Sequence, residues 1–344
     1  MSVQVGLGLF TGQIPPGSGH TFAREYQDVV ELARLAESLS FDSVWVSEHH
    51  GASDGYLPSL LPMLAAVASA TERVRLGTGV MLTPFHHPIR LAEDAAVVDQ
   101  LSGGRLILGL ALGWREEEFR MFGIPIEERL RRTTETIQIL RLAWAGGRFS
   151  HDGRIFRFDD ISVTPPPAQI GGPPIYLGGF AEAAVRRAGR IADGYIRSRG
   201  GIEDAKEALT WAEEAASSAG KNPAEIGFAQ LQNAFVWDDD SAWERVRDGV
   251  SHQVGVYAGW REGSDTPGRP LEVPRSDEST LRNLTPAGTP PEVIRALSPF
   301  TQAFADRDEF HFIVRLHYPG MELETAAHAI KLFGEDVLPA LRSS

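Results

Sequence analysis

VRLGTGVMLTPFHHPIRLAEDAAVVDQLSGGRLILGL, residues 74–110, holds one complete strand–helix–strand unit. Val74 to Met81 is apolar and β-branched enough to predict a strand. Pro88 then opens a helix, because a proline in the first turn gives up an N–H that has no intrahelical acceptor. The helix is predicted to run to about Gln100. It stops at Leu101-Ser102-Gly103-Gly104, where glycine can end it. Arg105 to Leu110 is the next strand. Two strands joined through a helix predict parallel pairing, since a hairpin cannot join parallel neighbours.

The same unit recurs in both directions. Upstream, Val3 to Phe10 and Ser43 to Ser47 read as strands. Arg24 to Ser38 (with Val29, Leu32, Ala33, Leu35 and Ala36 at helical spacing) and Leu60 to Ala70 read as helices. Downstream come a long helix at Glu127 to Ala145 and a hairpin at Arg148 to Phe158 with Asp152-Gly153 as its turn. Strands follow at Ile175–Leu177, Asp193–Ile196, Ile226–Val236 and Phe310–His317. Helices are predicted at Glu182–Arg190, Glu203–Ser218 and Glu324–Leu341. Eight units predict an α/β fold of one domain, residues 1–344: a closed parallel (β/α)8 TIM barrel, not an open doubly wound sheet. Tyr257 to Pro291 interrupts the alternation with Gly, Pro and charge, and predicts an insertion or lid before the last strand.

Composition narrows the function. The chain has 344 residues, 33 basic and 46 acidic, for a net charge of −13. That balance argues against a nucleic-acid partner and against anionic membrane surfaces. A single arginine or helix N-terminus can still hold a phosphate. There are no cysteines, which excludes disulfides, cysteine-ligated metals and cysteine nucleophiles. No apolar run approaches the ~18 residues of a membrane span. The opening MSVQVGLGLF reads as a strand and not a signal peptide. A cytoplasmic enzyme is expected.

Barrel enzymes build their sites at the C-terminal ends of the strands. Here those ends are Ser47-Glu48-His49-His50, Gly77 to Met81, Gly109 to Trp114, Gly178-Gly179 and Arg315-Leu316-His317. Adjacent residues leaving a strand point to opposite sides, so at most one of His49 and His50 faces the axis freely. An imidazole there suits general acid–base work; it can equally be a packed ring that hydrogen-bonds a neighbour. The first strand ends Phe10-Thr11-Gly12-Gln13 without histidine, so no metal site is expected. Gly178-Gly179 precedes a helix whose N-terminus could take a phosphate, and it also reads as a tight βα turn. Gly77-Thr78-Gly79, Ala111 and Gly113 leave room for a flat ligand, or mark barrel corners that need small residues. No Rossmann or P-loop motif is present. His86 and His87 are read as shaping a turn, Trp144, Trp211, Trp237, Trp243 and Trp260 as packing, and Glu116-Glu117-Glu118 as a helix first turn favoured by the dipole.

Several segments carry a family likeness. His87-Pro88-Ile89-Arg90-Leu91-Ala92-Glu93-Asp94, Asp99 to Arg105, Gly113-Trp114 to Phe119, Phe122-Gly123, Glu48-His49-His50, Pro174 to Gly179 and Ala192-Asp193-Gly194 together resemble the luciferase-like flavin-dependent monooxygenases of the bacterial luciferase superfamily. The resemblance implies a barrel that binds reduced FMN or, in a sister branch, the deazaflavin coenzyme F420. It implies that His49 is the catalytic histidine. It places Gly79-Val80 where relatives carry a non-proline cis peptide under the ring. Gly178, Gly179, Phe180 and the helix after them match the phosphate-binding element, and Arg129 matches an arginine near the phosphate. Ala111 stands where luciferase has a cysteine near the flavin. Leu112 replaces luciferase's phosphate arginine, which points away from light emission.

The implied activity is that of a two-component monooxygenase. A separate flavin reductase supplies reduced FMN, O2 adds to it, and one oxygen atom enters a small organic substrate. Glu48-His49-His50 leans this way, because the deazaflavin branch often shows Asp-His there. The alternatives are an F420-dependent hydride-transfer oxidoreductase and a non-catalytic flavin-binding protein. Relatives imply a homodimer, through the second and third helices.

Overall fold

Eight parallel strands form a ring: β1 Gln4–Phe10, β2 Ser43–Val46, β3 Arg75–Thr78, β4 Leu106–Ala111, β5 Ile175–Gly178, β6 Gly194–Ser198, β7 Gly227–Asn233 and β8 Phe310–Arg315. They pair in sequence order, and β1 pairs with β8 to close the barrel. The computed structural model describes residues 3–198, 200–262 and 277–343. The outward faces of the strands pack on a shell that includes α1 Phe22–Ser38, α2 Leu60–Ala70, α3 Pro88–Ser102, α5 Arg129–Trp144, α6 Glu182–Ile191 and α7 Ile202–Ser218, while the short α4 Glu116–Met121 follows β4. Among the described residues no helix is long and apolar enough to cross a membrane.

The inward faces make a second core. Trp45, Ile107, Tyr176, Ala229 and Ile313 fill the axis, with Leu9, Ile196 and Leu231 above them. Trp45 is fully buried, and its indole N–H donates to Ser43 Oγ at 2.8 Å, so no polar atom of the ring is stranded. The neighbouring strands make space for it with glycine. A Cβ at Gly77 would lie 2.1 Å from the indole, and one at Gly8 2.7 Å from Trp45 Cβ.

Several elements differ from the sequence expectation, each for a local reason. The strand expected over Val74–Met81 stops at Thr78. The Gly79–Val80 peptide is cis, and pairing resumes at Met81–Leu82 against Leu110–Ala111. Gly8–Leu9 is a second non-proline cis peptide. The strand expected over Ile226–Val236 breaks at Ala234, after which Phe235–Val236 pairs with Ala287–Gly288. In the hairpin, Asp152 faces Arg157, so residues 153–156 form the loop and not a two-residue Asp-Gly turn. The Glu135 carboxylate accepts hydrogen bonds from the N–H groups of Arg154, Ile155 and Phe156 and holds that wider loop. The last helix runs Leu323–Leu332, is interrupted by a π turn at Phe333–Val337, and resumes over Leu338–Ser343.

The expected insertion at 257–291 begins inside regular structure. Helix α8 spans Ala242–Glu262 and includes Tyr257. Beyond it, α9 covers Glu278–Leu284, Ala287–Gly288 is the short strand, and α10 starts at Pro290. Residues 263–276, the centre of the predicted lid, lie outside the described residues.

Candidate active site

A cavity of about 470 Å³ opens at the C-terminal end of the barrel, within the usual size range of small-molecule sites. It brings together all eight positions named from sequence: His49, Gly79, Val80, Ala111, Arg129, Gly178, Gly179 and Phe180. Gly77, by contrast, faces the Trp45 indole, so its missing side chain makes room for the core and not for a ligand. Leu9, Ile196, Leu231 and Ile313 supply apolar surface at the base. Tyr257 and Arg261 of α8 line the cavity as well.

The chain leaving β2 sets the polar centre. The His49 N–H donates to the Leu57 carbonyl at 3.3 Å, which fixes the backbone where it leaves the strand. The His49 ring lies in the cavity wall and is 5% exposed. With Nδ1 assigned as the protonated nitrogen, it donates to Glu118 Oε1 at 2.8 Å. Nε2 is then an acceptor, and the Tyr257 hydroxyl lies 3.1 Å from it. Tyr257 is also 3.1 Å from the Tyr56 hydroxyl, which is 3.1 Å from Ser47 Oγ. Tyr56 and Trp260 pack on the imidazole, with centroids 4.8 and 4.5 Å away. The histidine is therefore oriented on one side by a carboxylate and on two others by aromatic rings.

Glu118 sits in α4, the short helix after β4. Its Oε1 also accepts the His50 backbone N–H at 2.9 Å, so one carboxylate oxygen fixes both the His49 ring and the turn that carries it. This residue was read from sequence only as part of an acidic first turn. Nothing in the run Glu116-Glu117-Glu118 marks the third as the buried one except its place one turn from Arg115.

The other two residues of the triplet point elsewhere. Glu48 is 1% exposed and lines the cavity; His50 does not line it. His50 Nε2 is 2.5 Å from Glu48 Oε1, and His86 Nε2 is 3.1 Å from the same oxygen. Burial alone would raise the Glu48 pKa, but His86 and His50 outweigh it and hold the carboxyl down at about 2. Burial likewise disfavours charge on His86, and Glu48 overcomes it and raises that pKa. His86, read from sequence as a turn-former, thus pairs, from a partly exposed position, with the buried Glu48 carboxylate.

Charge on the cavity wall is mostly positive. Arg129, Arg197, Arg261 and Arg315 face it, against the already neutralised Glu48. Arg197 stacks 6.0 Å from the Phe180 ring. On the β5 side, α6 begins at Ala181, which has no capping side chain, so the first-turn N–H groups meet no side-chain acceptor. A helix N-terminus of this kind can take an anion.

Comparison with known proteins identifies the family. Residues 5–307 match the luciferase-like monooxygenase family. An F420-dependent glucose-6-phosphate dehydrogenase of Microbacterium testaceum is 30% identical over 92% of this chain and 93% of its own length. An F420-dependent hydroxymycolic acid dehydrogenase of Mycobacterium tuberculosis is 33% identical over 91% of this chain and 84% of its own. Among solved structures, monooxygenase RslO1 from Streptomyces bottropensis superposes with a TM-score of 0.83 at 26% identity, covering 98% of this chain and 99% of that one.

Proposed function

Starting from a chain that belongs to the luciferase-like monooxygenase family, we propose that it is a deazaflavin-dependent dehydrogenase acting on a small organic alcohol or on the matching carbonyl compound. It is an enzyme of the flavin and deazaflavin oxidoreductase group. The choice of coenzyme F420 over FMN rests on the likeness, over nine-tenths of the chain, to two F420-dependent dehydrogenases. The Glu48-His49-His50 triplet had favoured FMN and oxygenation, and the similarity in shape to a monooxygenase keeps that second reading alive.

The residues present fit such a group. The cavity is large enough for a flat ring. At Gly179 a Cβ would lie 2.7 Å from Ala184 Cβ, so the turn into α6 has to stay bare. Arg129, the Gly178–Phe180 turn and the first turn of α6 would hold the phosphate end, and Gly79, Val80 and Ala111 would border the ring. A deazaflavin bound there would supply hydride-transfer chemistry.

His49 does the proton half of the reaction. Its Nε2 lone pair, released when the Tyr257 hydroxyl turns away, takes the hydroxyl proton of the alcohol, or the protonated Nε2 returns it to the oxygen of a carbonyl. The resulting imidazolium is stabilised by Glu118, which accepts from Nδ1 in both states, much as a buried carboxylate orients the histidine of a hydrolytic triad. Tyr257, now beside an N–H and not a lone pair, turns from donor to acceptor. The aromatic rings around His49 keep water from competing for Nε2.

Anaerobic titration with F420 and with FMN, followed by a panel of alcohols, tests the reading. F420 is expected to bind and to lose its oxidised absorbance when the right alcohol is added. Binding of FMN alone, with oxygen consumed only when substrate is present, would replace dehydrogenation with oxygenation.

A further inference from the structure

Arg315 is the last residue of β8 and is 1% exposed. Strand alternation puts it on the same face as Ile313, which belongs to the barrel interior, and both line the cavity. Its backbone is fixed: the Ala234 N–H donates to its carbonyl at 3.0 Å, and the Tyr318 hydroxyl lies 3.3 Å from that oxygen. Its guanidinium is not fixed. Among the described residues Nε and Nη1, both shut off from solvent, donate to no group, and no carboxylate lies within 4.0 Å. Buried guanidinium groups are almost always paired, because the desolvated charge and each unused N–H are costly. A guanidinium charge that no carboxylate meets, in the wall of a cavity, suits an anionic oxygen of a carboxylate, or a carbonyl oxygen carrying negative charge. In the ring of strands, β8 lies three places from β5. Arg315 is therefore a different anion-recognising element from the α6 N-terminus, in another wall of the same cavity.

We propose that Arg315 is a ligand anchor: its guanidinium binds an anionic oxygen of the molecule held at the base of the cavity, and so selects for a negatively charged group there. The inference rests on the cavity being the cofactor and substrate site, as proposed above, but not on which cofactor it takes. Two sources supply that chemistry. One is a carboxylate on the substrate. The other is the reduced ring, whose negative charge is shared between N1 and the C2 carbonyl. Asn233, opposite Arg315 in the β7–β8 register and also lining the cavity, is placed to add a neutral hydrogen bond to the same group.

The test compares the parent protein with Arg315→Gln and Arg315→Lys. One arm titrates oxidised and reduced F420, and oxidised and reduced FMN, anaerobically by tryptophan fluorescence. The other titrates benzoate and its neutral isostere benzamide onto protein loaded with whichever cofactor binds. Arg315→Gln is expected to weaken the anionic member of at least one pair tenfold or more and the neutral member less than twofold, with Arg315→Lys between. Selective loss of the reduced cofactor assigns the group to the ring; selective loss of benzoate assigns it to the substrate. If Arg315→Gln binds both members of every pair within twofold of the parent, the proposal is wrong. Should that variant fail to fold, the parent and Arg315→Lys decide: equal affinity of the parent for both members of every pair, unchanged in the lysine variant, also overturns it. Failure of both cofactors to bind would instead count against the function proposed for the cavity.

Discussion

His49 Nδ1 and Glu118 Oε1 are 2.8 Å apart, although 69 residues of chain and two barrel strands separate them. The contact makes the imidazole a one-sided acceptor and points that side at the cavity. His49→Ala should lower turnover about 10²–10⁴-fold, the usual worth of a positioned acid–base group. Glu118→Gln should lower it on the order of 10²-fold, because the amide can offer His49 the wrong hydrogen-bonding group. Cofactor affinity, measured by fluorescence, should stay within twofold in both. Unchanged turnover in either variant removes the dyad from the reaction.

Tyr257→Phe deletes the hydroxyl 3.1 Å from His49 Nε2 and keeps the ring. One hydrogen bond of about 1 kcal/mol corresponds to roughly a fivefold loss of turnover. A steady-state comparison at saturating cofactor checks it. A loss as large as that of His49→Ala would make Tyr257 itself the proton donor.

Gly179→Ala puts a Cβ 2.7 Å from Ala184 Cβ and pushes the first turn of α6 away from the cavity. Cofactor affinity should fall at least tenfold while the melting temperature moves by only a few degrees. An unaltered dissociation constant would show that the phosphate end is held elsewhere.

Burial pushes Glu25 up to about 7, with His20 drawing it down and Asp28 adding to the rise. An unfolded carboxyl ionises near 4.5. Between those values the folded protein holds a proton that the unfolded chain releases, so this group's contribution to stability is lost as pH rises through the window. Glu25→Gln removes the titration. Relative to the parent, its unfolding free energy should improve by roughly 3 kcal/mol between pH 4.5 and pH 8. Denaturant unfolding at the two pH values would refute this if the difference stayed constant.

Gly77→Ala places a methyl 2.1 Å from the Trp45 indole in the centre of the barrel. Overpacking of this kind costs about 1–3 kcal/mol or more. A melting temperature equal to the parent's would mean that Trp45 has another position to move to.

The barrel was legible because every strand is a short apolar run bounded by helix and turn signals; Gly79, Ala111 and Gly178 followed from where the strands end, and Arg129 and Phe180 from the resemblance alone. Period and punctuation do not reveal how a backbone departs from regularity, so the breaks at Gly79–Val80 and Ala234 were hidden within continuous apolar runs. The site was legible where a residue type is rare and sits on a strand end, as His49 does. Glu118 was hidden among three consecutive glutamates. Tyr257 was read as loop because Gly and Pro beyond residue 262 coloured the whole stretch, although α8 continues through it. Arg315 stood at a strand end in plain view, but a sequence cannot show that no carboxylate of the described residues pairs with its guanidinium.

Helix α8 is a separable wall. It lies between β7 and β8, contributes Tyr257, Gln253 and Arg261 to the cavity, and supplies none of the residues that border the ring or the phosphate end. On the proposed function, α8 would meet the substrate and touch the chemistry only through Tyr257, while the phosphate end of the cofactor would be held by other parts of the chain. Selection, or an engineer, could then recut the helix around a retained Tyr257 to admit a new substrate and leave the cofactor's phosphate end untouched.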